Sequence, residues 1–448
     1  MPILRDVGAS IQCILESVDI WYNFHMRPLL PIILRRLFPG GKDSFIFERQ
    51  PVILPAKTYN LNLYIHLPFC RQLCPFCPYM KEVYNPQISA AYQEALIQEL
   101  EGYRSLWGDI NIKSVYFGGG TPSMTPEIIE RTLSWIAGNF QLGREVGVEI
   151  NPLDANPAVI GILKSNGVSM ASLGVQSYND RLLHQLGRDY DRKVALKASQ
   201  RLIEADFTTV DIDLIFAIPT QSLEEVEADV ETAFRLGADQ ISTYPLLYFS
   251  YAPMRKQLKQ ARITTPSWWL ERQMLRAIDK RAKETGYHRT SIWSFNKPDT
   301  VRYTTVTRDI FVGIGAGATS KIGDYFKLNT FSVAEYIKAV REDSPLALAT
   351  KLCDGDKMAY WFFWRSYDLA IDLDIYRSLF GQDLPRPIRA LLSLLRFMGV
   401  IERYGDTIHF TEIGAYLSHL VEKEYTHAYL EKLWDTCLRE AWPRRVIL

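Results

Sequence analysis

From about residue 60 onward, short β-rich apolar runs alternate with longer stretches of helical period. The runs are Leu61–Ile65, Ser114–Phe117, Val146–Ile150, Ala171–Val175, Val210–Ile215 and Gln240–Tyr244, with helix-like segments near 87–106, 126–139, 155–165, 192–204 and 222–236 between them. Strands that alternate with helices predict βα units on a parallel sheet. Six such runs fall short of the eight units of a closed barrel, so the expected fold class is α/β, a partial (β/α)6 TIM-like barrel. In barrels of this kind the chemistry sits at the C-terminal ends of the strands, which singles out the residues just after each run.

The pattern changes after about residue 345. Arg386–Met398 reads as a helix with Ile388, Leu391, Leu392, Leu394 and Leu395 on its apolar side, stopped by Gly399. Val400–Arg403 and Thr407–Phe410 flank Tyr404-Gly405-Asp406 as a hairpin, and Thr411 can N-cap a further helix. Helix, hairpin and helix make a winged-helix-like unit. At the other end, segment 8–38 carries Ile11, Ile14, Leu15, Val18 and Trp21 at amphipathic spacing, then a shorter apolar stretch with Pro28 and Pro31. The expected division is an N-terminal helical extension over 1–57, a barrel over 58–345 and a C-terminal α+β cap over 346–448.

Charge narrows the partners. Lys plus Arg and Asp plus Glu each number 51, so no overall field draws nucleic acid or an anionic surface. The cap segment 375–425 shows no basic cluster on a recognition helix, and no nucleic-acid partner is expected. No stretch reaches the roughly 18 apolar residues needed to cross a bilayer, and a cytoplasmic location is the expectation. The apolar face of segment 8–38 is read as packing on the body of the protein. Membrane attachment, with Arg27, Arg35 and Arg36 near headgroups, is the second reading.

Six cysteines in 448 residues are too sparse for a disulfide scaffold, yet Cys70, Cys74 and Cys77 cluster as C-x3-C-x2-C directly after the first run. Three thiolates can hold three irons of a 4Fe-4S cluster and leave the fourth iron for another ligand. The amino and carboxylate groups of S-adenosylmethionine can chelate that iron, and one electron can then cleave a C–S bond to give a 5′-deoxyadenosyl radical. A zinc site with His66 as fourth ligand and three structural thiols are the competing readings.

The frame Tyr64-Ile65-His66-Leu67-Pro68-Phe69-Cys70, together with Gly118-Gly119-Gly120-Thr121-Pro122, resembles the radical S-adenosylmethionine superfamily, and within it the oxygen-independent coproporphyrinogen III oxidases. The resemblance runs from about residue 58 to 425. It implies a radical SAM barrel with a C-terminal cap, a 4Fe-4S cluster on Cys70, Cys74 and Cys77, and one S-adenosylmethionine, with a second in some relatives. It also places Tyr64, Phe76, Gly119, Gly120, Thr121, Glu149, Gln176, Arg188, Asp213 and Thr319 at the cofactor. Its implied partners are a small-molecule substrate and an electron donor such as flavodoxin or ferredoxin. Phe69, Pro75 and Phe76 are expected to shield the cluster, and His66 either to lie near the cofactor or to bond to backbone.

Each of these positions also has a plainer reading. Glycine runs serve tight turns, and the run Gly313 to Thr319 suits either close approach to the adenosine or a turn from strand to helix. A carboxylate at a strand end can simply bond backbone. The aromatic residues of Tyr244–Tyr251 with Trp268, Trp269 and Trp293 suit either a pocket or the core.

The chain departs from the resemblance in both branches, and the arginine–tyrosine–threonine–serine–tyrosine–proline stretch of the coproporphyrinogen oxidases is missing ahead of the cluster. Tyr79 stands where the coproporphyrinogen oxidases carry a fourth cysteine. After Ser294-Phe295-Asn296-Lys297-Pro298, the segment Val301-Arg302-Tyr303-Thr304-Thr305 lacks the His-Asn-x-x-Tyr-Trp motif of the heme-chaperone branch. With both motifs missing, C1 transfer (C-methylation or cyclopropanation with a second S-adenosylmethionine) is the leading expectation. Tetrapyrrole decarboxylation and non-catalytic heme binding are the alternatives.

Overall fold

The computed structural model describes residues 36–448 apart from 43, 59–60, 305–307 and 343. The helices expected within 8–38 therefore lie almost entirely outside the described residues.

Six parallel strands form the centre: β1 Leu61–Leu67, β2 Asn111–Gly119, β3 Gln141–Ile150, β4 Met170–Gln176, β5 Thr209–Phe216 and β6 Gln240–Pro245. Each pairs in parallel with the next. A seventh, β7 Phe311–Ile314, lies parallel to β1 on its other side. Beyond it run three antiparallel strands, β8 Thr319–Ile322, β9 Tyr325–Asn329 and β10 Leu346–Lys351. The sheet has 14 strands among the described residues and is open at both edges, as a partial barrel requires.

The crossover helices start where the side chains cap them. Asn85, with Pro86 behind it, accepts from the Gln87 and Ile88 amides; Asn156 and Asp191 do the same for their helices, and Ser222 with Glu225 forms a capping box. Between β6 and the next strand lie two helices that the run pattern does not show, Pro253–Ala261 and Trp268–Glu284.

Period-two alternation sorts the strand residues. Leu61, Leu63, Ile65 and Leu67 enter the main core with Val115, Phe117, Val148, Leu173, Ile212 and Leu214. The intervening positions, among them Tyr64, His66, Tyr116, Ser172 and Asp213, line the barrel interior.

In the cap, Ala370–Asp372 joins the hairpin Ile401–Tyr404 and Thr407–Phe410 in a three-stranded sheet. The helix Arg386–Phe397 covers it, and the Thr411 hydroxyl caps the following helix through the Gly414 amide. A second core of Phe38, Met358, Trp361, Ile371, Tyr376 and Ile388 holds this unit. The main sheet runs across residue 345, because β10 pairs with β9 and the final strand Arg445–Ile447 pairs with Ile46–Glu48.

Candidate functional site

The cysteine loop leaves β1 through Pro68 and is fastened at both ends by backbone. Gly120 and Thr121 amides donate to the Leu67 and Phe69 carbonyls at 2.8 and 2.9 Å, and the Glu82 amide donates to Pro68 at 2.8 Å. This contact explains the glycines after β2. Gly119 has φ +117, and a Cβ there would meet the His66 ring at 2.6 Å; at Gly120 it would meet the Pro68 carbonyl carbon at 2.6 Å. The run is a close approach of backbone to backbone beside the thiols.

Each thiol sits in a different surrounding. The Thr121 hydroxyl donates to Cys70 Sγ at 3.4 Å, and Arg188 Nη1 donates to Cys74 Sγ at 3.3 Å. Lys81 Nζ donates to the Cys77 carbonyl at 2.8 Å. Burial pushes the Cys70 thiol up to about 11 and raises Cys77 as well, so both wait for a bound cation to draw off the proton.

Among the described residues no three His, Cys, Asp or Glu side chains converge on one ion. His66 is committed elsewhere: Nδ1 lies 3.0 Å from the Tyr64 hydroxyl and Nε2 3.0 Å from the Met80 carbonyl. Burial holds its ring down at about 4. These contacts leave His66 no free nitrogen to serve as a fourth zinc ligand. A 4Fe-4S cluster asks for something else, since each thiolate binds a separate iron, and three thiols around one loop fit it.

The expected cluster ligands and cofactor residues line a single cavity of about 620 Å3: Tyr64, Cys70, Cys74, Phe76, Cys77, Gly119, Gly120, Thr121, Glu149, Gln176, Arg188, Asp213 and Thr319. Glu149 Oε2 accepts from the Gly119 amide at 3.2 Å and Oε1 from the Tyr116 hydroxyl at 3.4 Å. Burial, then repulsion from Asp213, lifts its carboxyl to about 8. Asp213 accepts from the Ser172 hydroxyl at 2.6 Å and is lifted by burial to about 6. Gln176 ends β4 at φ +71, a left-handed conformation that a non-glycine residue holds only under constraint. Arg188 spans from Cys74 to the Gly174 carbonyl and the Tyr190 hydroxyl.

Three expectations change. Phe69 turns into the core against Tyr84 and Tyr92, so of the expected shields Phe76 lines the cavity and Phe69 does not. The Gly313–Thr319 segment is a turn between antiparallel strands β7 and β8, not an entry to a helix. Trp268 and Trp269 are partly exposed and off the cavity, whereas Tyr244, Phe249 and Trp293 line it.

The run pattern also passes over part of the wall. Tyr116 stacks on Tyr64 and meets Tyr303 at a tilt, and Tyr360, Trp364, Tyr367, Glu422, Tyr425 and Trp434 close the cavity from the cap side. Polar or aromatic residues at alternate strand positions were the available signal for Tyr116. The cap residues carried none.

The Radical SAM superfamily profile matches residues 64–233. The heme chaperone HemW of Bacillus subtilis (strain 168) is 30% identical over 369 residues, spanning 80% of this chain and 97% of that protein. HemW of Lactococcus lactis is 31% identical over 284 residues, spanning 62% and 74%. The chain belongs to this radical SAM family. The same family includes the oxygen-independent coproporphyrinogen III oxidase of Cereibacter sphaeroides, 26% identical over 81% of this chain and 86% of that protein. The solved coproporphyrinogen III oxidase HemN of Escherichia coli shares the fold, with TM-score 0.73 and 22% identity over 86% of this radical SAM chain and 96% of HemN. Family membership brings with it a 4Fe-4S cluster and S-adenosylmethionine. These relatives are heme chaperones and coproporphyrinogen oxidases, so the expected C1 transfer finds no support among them.

Proposed function

We propose that this radical SAM protein binds its cluster on Cys70, Cys74 and Cys77, holds S-adenosylmethionine along the strand ends, and takes a tetrapyrrole in the space beneath the cap. The observation that carries this reading is one continuous cavity running from the three thiols to an aromatic wall of Tyr360, Trp364, Tyr367, Tyr425 and Trp434. Aromatic faces suit the pyrrole rings of a large apolar macrocycle. The named activities of the relatives point to the same substrate class.

The bound cofactor pair supplies one-electron cleavage to a 5′-deoxyadenosyl radical. The chain supplies position and exclusion of water. The Gly119 and Gly120 backbone with Thr121 would hold the methionine end, Thr319 would lie by the adenosine, and Tyr64, Glu149, Gln176 and Asp213 would offer polar contacts along the rest of the cofactor. Arg188 sets a fixed cation beside the Cys74 ligand. Holding the reacting carbon within van der Waals reach does most of the catalytic work. A small redox protein such as flavodoxin or ferredoxin delivers the electron.

Charge in the cavity bears on how the tetrapyrrole sits. Among the described lining residues every cation is engaged: Arg71 with Asp154, Lys81 with the Cys77 and Tyr79 carbonyls, Arg188 with Cys74, Arg302 with Asp368, and Arg308 with Glu145. Carboxylate side chains of the macrocycle therefore point to the open mouth, and the ring faces inward.

The test is anaerobic reconstitution and dithionite reduction, with 5′-deoxyadenosine measured alone, with coproporphyrinogen III and with hemin. Tetrapyrrole binding with altered deoxyadenosine yield is expected. Carbon dioxide release would assign decarboxylation, and a Soret band on hemin addition would assign heme handling. Deoxyadenosine formation indifferent to both tetrapyrroles, with neither bound, would overturn the substrate class.

A further inference from the structure

The cap contributes one polar group to the cavity that nothing among the described residues satisfies. Glu422 lies on the helix Glu412–Tyr425, is 6% exposed, and lines the cavity. Among the described residues no side chain or backbone group hydrogen-bonds its carboxyl. Burial alone lifts it to about 8, so no cation stands close enough to offset the loss of water. Its neighbours on the cavity wall are aromatic: Trp364, Tyr367 and Tyr425. A buried carboxyl without a partner is unfavourable in the free protein and becomes favourable when a ligand brings the missing donor.

Local geometry keeps it aimed inward. The helix continues through a π turn, Thr426–Leu430, into Glu431–Arg439. Each four-residue step on an ideal α-helix overshoots a full turn by about 40°. One i→i+5 turn takes back part of that drift, so Glu422, Thr426, Leu430 and Trp434 all stay on the cavity face.

We propose that Glu422 is a substrate-contacting specificity residue that accepts a hydrogen bond from a ring N–H of a metal-free, reduced tetrapyrrole. This rests on the tetrapyrrole reading above and narrows it. A porphyrinogen presents pyrrole N–H donors, whereas in heme every ring nitrogen is bonded to iron. The cavity also offers heme iron no free imidazole among its described lining residues. His66 is the one histidine among its described lining residues, and both its nitrogens are taken.

The full reconstituted protein is dialysed anaerobically against coproporphyrinogen III and, separately, hemin. Wild type is expected to bind the porphyrinogen about tenfold more tightly, the worth of one buried hydrogen bond. Glu422→Leu is expected to lose that tenfold preference with hemin affinity unchanged. Glu422→Gln keeps an acceptor oxygen and the side-chain shape, and is expected to lose less than about threefold. Full porphyrinogen affinity in Glu422→Leu, or equal affinity of wild type for the two ligands, would overturn the role of Glu422 and leave the tetrapyrrole reading standing. Binding of neither ligand by wild type removes both.

Discussion

Single residues hold the mouth of the barrel in its shape. Gly119 is required twice over, by its φ of +117 and by the His66 ring 2.6 Å from where a Cβ would stand. Gly119→Ala is expected to destabilise the fold by about 2–4 kcal/mol, measured by urea denaturation; an unchanged midpoint would show that the loop shifts freely. Glu422 gives a pH-dependent signature. Its carboxyl titrates at about 8 in the fold against roughly 4.3 in an unfolded chain. Between those values the folded protein carries the extra proton, so this group's contribution to stability falls as pH rises toward 8. Glu422→Gln should match wild type near pH 4 and exceed it by a few kcal/mol, to order of magnitude, at pH 8. Parallel stability curves would contradict an unpartnered carboxyl. The sequence shows Gly119, Glu149 and Asp213 because they fall just after or within β-rich runs. Glu422 is silent there, since one acidic residue on a helix looks like any solvated position until the fold buries it.

The C-terminal helical rod links the cap to the cluster loop. Trp434 stacks on Phe249 at 6.2 Å and meets Tyr79 at 5.8 Å. Glu431 accepts from the Ser250 amide and from His427 at 3.0 Å, and the Tyr251 hydroxyl donates to the Pro78 carbonyl at 3.2 Å. Tyr79, two positions after the last cysteine of the triplet, is thereby an aromatic contact of the cap. Trp434→Ala is expected to cost about 1–3 kcal/mol and to let air bleach the reconstituted cluster several-fold faster, followed by visible absorbance. Equal bleaching would show that the rod does not shield the loop. The helix pattern in 386–398 and the hairpin after it are legible because periodicity and turn residues are local. The π turn is not, because it depends on what the rod packs against.

For the molecule as a whole, the thiols sit at the rim and the apolar mass lies behind them. Cys70→Ala, Cys74→Ala and Cys77→Ala should each abolish cluster iron and 5′-deoxyadenosine. Cys353→Ser and Cys437→Ser should retain both, because neither lines the cavity. Iron analysis and mass spectrometry check this, and full activity in Cys74→Ala would refute the ligand set. Stripping the cluster with chelator should leave the far-ultraviolet dichroism of the barrel intact, with proteolysis beginning in 71–79.

What the chain declares on its own is local and periodic. Alternation of runs and helices sets the α/β class, three cysteines at short spacing set the metal chemistry, and strand ends mark the polar residues of the mouth. These follow from dihedral preference, side-chain period and ligand spacing, which act over a few residues. Tertiary structure alone decides that His66 is tied up, that Phe69 faces the core, and that each cation among the described lining residues is already engaged. It also decides that Glu422 has no partner among the described residues. Such facts depend on segments hundreds of residues apart meeting in space, where burial and pairing set the state of each group.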